Sequence, residues 1–295
     1  MLKTKTKIII TLFALTASFA LFSFARAEIL KVGFVTDWEY GTKKEYDHKL
    51  PKKAESYLKT AVNHYNKIFQ PDLVVGGGDY ILSRGVSKKK AAKQLRHINN
   101  IFRKASAPRR YCIGNHDLSH MSEKAVEENL GINSAHSSTD LNGVRVITLD
   151  TNDPLSKEGD EEYGMTGKVS DEELVWLDEQ LNTNLPVVVF SHHSPVQTLD
   201  GKVSRINIYS ADHVRAVLEK YDNVVAVFSG HHAVNYSTEV NGINYVIINN
   251  LTDKKAKGTF ADITAEKNGN NVSVSVSQFG KRPATYNFSK TLSSD

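Results

Sequence analysis

Cysteine is nearly missing from this chain: Cys112 is the only one in 295 residues. A single thiol forms no internal disulfide, and no cysteine stands behind a leader to carry a lipid anchor. Its place in the run Tyr111-Cys112-Ile113 reads as a small buried hydrophobe. An excess of one charge is also missing. The formal charge of +4 comes from Lys3, Lys5, Lys7 and Arg26; without residues 1–27, Lys+Arg falls from 37 to 33, equal to the Asp+Glu count of 33. The balance therefore indicates no nucleic-acid partner, and Lys88-Lys89-Lys90 reads as the solvated start of a helix. Long apolar runs are confined to residues 8–24, where Thr11, Thr16, Ser18 and Ser23 interrupt a stretch that is marginally short for a membrane span. Three lysines before it and Ala25-Arg26-Ala27 after it have the form of a cleavable signal peptide. The expectation is a leader over 1–27 and one domain over 28–295, exported to the periplasm or secreted, with no membrane anchor after cleavage. No internal repeat or low-complexity linker divides the remainder. Gly76-Gly77-Gly78 is followed by no Gly-Lys-Ser/Thr, which excludes a phosphate-binding loop of that type.

What is present is an alternation of strand and helix patterns. Pro51 opens a segment with Ala54, Leu58, Ala61, Val62, Tyr65 and Phe69 on one helical face, and Pro71 stops it. Ala91, Leu95, Ile98 and Phe102 repeat the spacing. Ser170-Asp171-Glu172-Glu173 is a capping box ahead of Leu174, Leu177 and Leu181, and Asp212 is placed to cap a helix through Val214, Val217 and Leu218. Short branched runs lie between these segments, an order that predicts a largely parallel sheet covered by helices. From about residue 243 the pattern becomes short strands with little helix between them. Asn268-Gly269 provides a hairpin turn, and these strands read as completing a second, antiparallel sheet. The polar segment 151–168 reads as a long surface loop bordering a cleft.

Five branched runs end on polar residues of a particular kind. Residues 29–35 lead to Asp37, and Leu73-Val74-Val75 leads to Gly78-Asp79. Tyr111-Cys112-Ile113 precedes Gly114-Asn115-His116-Asp117; 187–190 precedes Ser191-His192-His193; 224–228 precedes Gly230-His231-His232. Strand ends are where α/β sheets build sites, and these side chains are oxygen and imidazole ligands for divalent metals. A lone His-His pair is more often packing than ligation, but two such pairs at neighbouring strand ends favour ligation. His48, His64, His97, His120, His136 and His213 lack that setting and read as surface or packing residues.

Taken in order, these motifs resemble the calcineurin-like metallophosphoesterases over nearly the whole chain beyond the leader. The resemblance implies a four-layer α/β/β/α sandwich of two mixed sheets. It further implies hydrolysis of a phosphoester, a diester being favoured, by attack of a metal-bound water on a small phosphorylated substrate. Asp79 would bridge two ions, with Asn115, His192 and His231 completing one site, His193 being the alternative to His192. His116 would be the proton donor, oriented by Asp117. The chain departs from the family at two motifs. The usual Asp-x-His is Asp37-Trp38-Glu39, and the usual Gly-His-x-His is Gly230-His231-His232-Ala233. One ion site thus keeps its imidazoles and suits Mn, Fe or Zn. The other is reduced to Asp37, Asp79 and the candidate Glu39, an all-oxygen set expected to hold Mg, Mn or Ca weakly. The same losses motivate an alternative: a catalytically degenerate relative that binds a phosphorylated ligand or a protein partner.

Overall fold

In the computed structural model the described residues are 27–82, 85–152, 166–196, 198–199, 202–203, 208–209 and 211–293. The expected leader, apart from Ala27, and most of the 151–168 loop lie outside them. Strand β1 (Glu28–Val35), β2 (Leu73–Gly76) and β3 (Arg109–Tyr111) pair in parallel. The crossovers carry helices α1 (Ala54–His64) and α2 (Lys88–Phe102). Parallel strands need such connections, and branched, doubly buried runs suit them. Pro51 opens a short 3-10 turn before α1. The helical face continues as a wider π turn over Tyr65–Phe69, and the chain reverses at Gln70 (φ 50°) just before Pro71. Ser87 caps α2, its hydroxyl accepting from Lys90 N at 3.4 Å.

Beyond β3 come α3 (Asn115–Leu118), α4 (Glu123–Leu130), β4 (Ser137–Leu141), β5 (Val144–Leu149), α5 (Asp171–Leu181) and β6 (Val187–Ser191). A short hairpin of β7 (Thr198–Leu199) and β8 (Lys202–Val203) leads to α6 (Ala211–Leu218) and β9 (Val224–Ser229). Then follow β10 (Tyr236–Val240), β11 (Ile243–Ile247), β12 (Ala261–Asn268), β13 (Asn271–Gln278) and β14 (Ala284–Thr291). One six-stranded sheet runs β14-β13-β12-β1-β2-β3 and the other β10-β11-β9-β6-β5-β4. Both are mixed, and helices cover their outer faces.

Two details differ from the sequence reading. Of the strands after residue 243, only β11 joins the second sheet. β12, β13 and β14 extend the first, with β12 antiparallel to β1 from Glu28↔Lys267 to Phe34↔Ala261. Their alternating burial shows one covered face, but alternation does not say which free edge a hairpin will meet. β1 had such an edge, because β2 covers only its other side. Asp212 lies inside the first turn of α6, not ahead of it, and its carboxylate pairs with Arg215.

The sandwich interior is made by Leu30, Val32 and Phe34 of the first sheet against Val188, Phe190 and Phe228 of the second, with the Phe34 and Phe190 rings 5.2 Å apart. Each such fully buried side chain contributes about 1.5–3 kcal/mol. Leu58, Leu95, Ile98 and Phe102 seat α1 and α2 on the first sheet, and Leu177, Leu181, Val214 and Leu218 seat α5 and α6 on the second. The consequence for function is directional. The parallel strands β1, β2, β3, β6 and β9 all deliver their C-terminal ends to one edge of the sandwich.

Candidate metal centre

Each strand end makes an abrupt turn that aims a polar side chain across that edge. Asp37 (φ 53°), Asp79 (φ 53°) and His231 (φ 69°) are all in the left-handed region. Non-glycine residues adopt it at a cost, one that clusters at functional sites. Glycines allow the loops to approach one another. A Cβ on Gly114 would collide with the Asp79 amide and carboxylate, and one on Gly78 would lie 2.7 Å from both Gly114 N and His192 Nδ1.

His192 is at the centre. It is fully buried, and its Nδ1 lies 2.8 Å from Gly77 O, so that nitrogen carries the proton and donates it to the carbonyl. The other nitrogen, Nε2, faces Asp79 Oδ2 at 3.4 Å, Asn115 Oδ1 at 3.3 Å and His231 Nδ1 at 3.1 Å. Donors about 2.1 Å from a common tetrahedral ion lie about 3.4 Å apart, and the three separations from His192 are of that size. A backbone carbonyl fixing the far nitrogen is the usual support of a ligating imidazole. His231 Nε2, His193 Nε2 and Asp37 Oδ1 are buried polar atoms with no hydrogen-bond partner in the described structure. Asp37 Oδ2 is held by Thr36 Oγ1 at 2.6 Å and His231 N at 2.9 Å.

The electrostatics show how the buried acids and imidazoles act on one another. Burial opposes charging of His192, yet the Asp79 and Asp37 carboxylates raise it to about 9. Burial alone would raise Asp79, but the surrounding imidazoles, His192 first, hold it well below the usual carboxylate range. Burial keeps His193 and His231 well below the ordinary imidazole value, and so neutral with lone pairs available. His193 Nδ1 sits 2.9 Å from Thr151 Oγ1, and its ring packs 4.5 Å from that of His231. Two sets of side chains could hold a divalent ion here, His192 with His193 and His231, and His192 with Asp37 and Asp79, and Asn115 Oδ1 lies 3.3 Å from the shared His192.

The second ion position does not have the expected form. Glu39, Asp79 and His116 could converge on a cation, their ligand atoms lying within 4.8 Å of one another. A lysine ammonium already stands among them. Lys49 Nζ is ion-paired with Glu39 Oε1 and lies 3.4 Å from His116 Nε2. Glu39 Oε2 accepts from Thr252 Oγ1 at 3.0 Å. Lys49 is only 8% exposed, although charged residues are rarely buried without a partner. Burial would lower its pKa, but Glu39, Asp79 and Asp37 hold it above the ordinary value. Burial pushes Glu39 up to about 8 against the pull of Lys49. Of the oxygen ligands expected there, Glu39 is engaged by Lys49, while Asp37 and Asp79 form a possible cation-holding group with His192.

The role expected for Asp117 also changes. Its carboxylate does not touch the His116 ring. Oδ1 accepts from Tyr80 N at 2.9 Å and Ile81 N at 3.4 Å, and Oδ2 from Gly114 N at 3.1 Å. Asp117 thus ties the loop after β2 to the loop after β3, and His116 is placed by its own amide, which donates to Asp79 Oδ1 at 2.8 Å. Burial, then the charge of Asp79, raises Asp117 to about 8.

The family profile described as calcineurin-like phosphoesterase matches residues 30–235, a span containing all of these residues except Thr252. The chain belongs to the calcineurin-like phosphoesterases. The fold is similar to that of a dimetal phosphatase from Danio rerio, at 15% identity over 90% of this chain and 99% of that chain, with a TM-score of 0.73. It is also similar to GAP50, described as the anchor in the inner membrane complex of Plasmodium, at 12% identity over 90% of each chain, with a TM-score of 0.60. At such identities the likeness is one of fold. No curated protein matches the sequence. Lys49, Thr252 and Thr36 were not readable as site residues in this calcineurin-like phosphoesterase. Lys49 belongs to a charged loop, 43–49, that holds three lysines and two acids, and nothing marks one lysine out.

Proposed function

We propose that this calcineurin-like phosphoesterase hydrolyses a small phosphorylated substrate, a phosphodiester in preference to a monoester, with a divalent metal as cofactor. The observation that carries the reading is the gathering of Asp79, Asn115 and His231 around His192, with His116 beside Asp79. A divalent ion held there would supply Lewis-acid polarisation of a phosphoryl oxygen and lower the pKa of a water. The chain's own groups do the rest. The oxygen of a water forms the new bond to phosphorus, the ester P–O bond breaks, and the departing alkoxide takes a proton from the His116–Lys49 pair; the proton shed by the water restores that pair. The buried carboxylates and imidazoles are fixed in advance by Gly77, Thr36 and the Asp117 clasp, so little reorganisation is needed. We further propose that the chain is exported, on the strength of its N-terminal sequence.

A panel of chromogenic monoesters and diesters, with Mn²⁺, Mg²⁺ and Zn²⁺ added separately, tests the activity. Turnover of a diester with at least one of them is expected; folded protein inert with every ester and metal would refute the hydrolase. A second reading, a non-hydrolytic binding protein, is favoured by one observation, the ammonium standing where a second ion would be. Turnover that is abolished in His116→Ala while metal binding survives would exclude it.

A further inference from the structure

We propose that the Lys49 ammonium is a built-in replacement for one of the two metal ions, so that the protein works with a single divalent ion and a fixed lysine charge. The inference deepens the hydrolase reading and rests on it for the role of that charge, but its geometry stands alone.

Three observations carry it. The ammonium lies inside a group of three potential metal ligands, paired with Glu39 and 3.4 Å from His116. The two departures from the family motifs both remove an imidazole ligand. Glu39 stands where an imidazole ligand is usual, and its carboxylate holds the lysine. Ala233, where the other imidazole is usual, has a backbone amide that donates to Asn250 Oδ1 at 3.0 Å and offers no side-chain ligand. Finally, the lysine is presented rigidly. Lys49 N donates to Tyr46 O at 2.9 Å, Lys49 forms a bridge with Asp253, and Leu50 N donates to Thr252 O at 2.8 Å. Thr252 also fixes the far oxygen of Glu39. One segment therefore seats both members of the pair.

A surface lysine that had merely folded inward would show none of this bracing. Removing one member of a buried pair leaves an uncompensated charge, so Glu39 and Lys49 depend on one another. An ammonium is a compact point charge with three donors. With one proton directed to Glu39 and another to His116, the third is left for a phosphoryl oxygen of the substrate. A lysine serves such oxygens by charge, as clamps do in phosphoryl-transfer sites generally.

The test is a metal count, read without turnover. The full chain is saturated with Mn²⁺, dialysed, and analysed for metal, and its electron paramagnetic resonance spectrum is recorded at saturating Mn²⁺. One ion per chain and an uncoupled single-ion spectrum are expected. Two ions per chain, or a spin-coupled pair, would overturn the proposal with no variant needed. Lys49→Met, which frees Glu39, should bind a second ion and show the coupled spectrum. Glu39→Gln combined with Lys49→Met, which leaves no buried charge, should return to one. Folded Lys49→Met that still holds one ion would overturn the proposal. The two readings fail separately: one ion without turnover counts against the hydrolase, whereas two ions with turnover count only against the lysine.

Discussion

Replacing Asp117 should loosen the protein at the site edge. The carboxylate is fully buried and accepts three backbone amides, from Tyr80 at 2.9 Å, Gly114 at 3.1 Å and Ile81 at 3.4 Å. Asp117→Ala leaves these donors without their acceptor. An orphaned buried donor costs about 1–3 kcal/mol, and the two shorter bonds dominate, so a loss of about 3–5 kcal/mol is expected. That is a large part of the 5–15 kcal/mol by which domains are ordinarily stable, roughly. Asp117→Asn should cost less, about 1–3 kcal/mol. Its carbonyl can still serve Tyr80 and Ile81, but its amide opposes the Gly114 N–H. Urea unfolding followed by tryptophan fluorescence measures both, because Trp38 is buried against Tyr80 with rings 4.3 Å apart. EDTA must be present, since an ion bound only to the folded state would add its own stability. Asp117→Ala within about 0.5 kcal/mol of wild type would refute the clasp, because that is the range of an ordinary surface change.

Other consequences follow from the same geometry. Gly230→Ala places a methyl against Thr36 Oγ1 and Asp37 Oδ2, so metal affinity measured by calorimetry should fall while the rest of the fold survives. Gly33→Ala would put its methyl 2.7 Å from the buried Tyr65 ring and should lower stability by about 1–3 kcal/mol, read as a lower urea midpoint at unchanged affinity for metal. Burial raises the Cys112 thiol far above its ordinary value, so the neutral form is favoured in the native state. A disulfide reagent should therefore react slowly with native protein even as pH rises to 9, and at once after unfolding; rapid native reaction would contradict the burial. Terminal sequencing of protein produced in a bacterial host should begin at Glu28 if the export proposal is right, and at the initiator region if it is not.

The sequence exposed this architecture unevenly, for physical reasons. Helical faces such as Leu58-Ala61-Val62 and Ala91-Leu95-Ile98 were legible because burial imposes the 3.6-residue period directly. The order of site motifs was legible because parallel strands deliver their ends to one edge. The partner of the β12–β13 hairpin was not, since edge choice depends on which neighbour is free. Two turns were overlooked despite a clear signal: Asn142-Gly143 joins β4 to β5 and Asn241-Gly242 joins β10 to β11, each with both residues at positive φ as a two-residue hairpin turn requires. Glu39 was visible as an altered ligand, but its meaning depended on Lys49, ten residues along and docked by Thr252 from the far end of the chain. His136, expected as a surface or packing residue, stacks its ring on Trp176 at 4.0 Å, and its Nδ1 lies 2.6 Å from Glu173 Oε2. Ser170 Oγ accepts from Glu173 N at 3.0 Å, the capping half of the box, while the Glu173 carboxylate also receives Asp150 N.

The most direct test of the account is hydrolysis of bis(4-nitrophenyl) phosphate by the metal-loaded chain in heavy-oxygen water, followed by mass analysis of both products. The account requires turnover that needs the divalent ion, that disappears in His116→Ala and Asp79→Asn, and that places the heavy oxygen on the phosphate product with none on the nitrophenol. No turnover from folded, metal-loaded protein, or turnover indifferent to both substitutions, would contradict it.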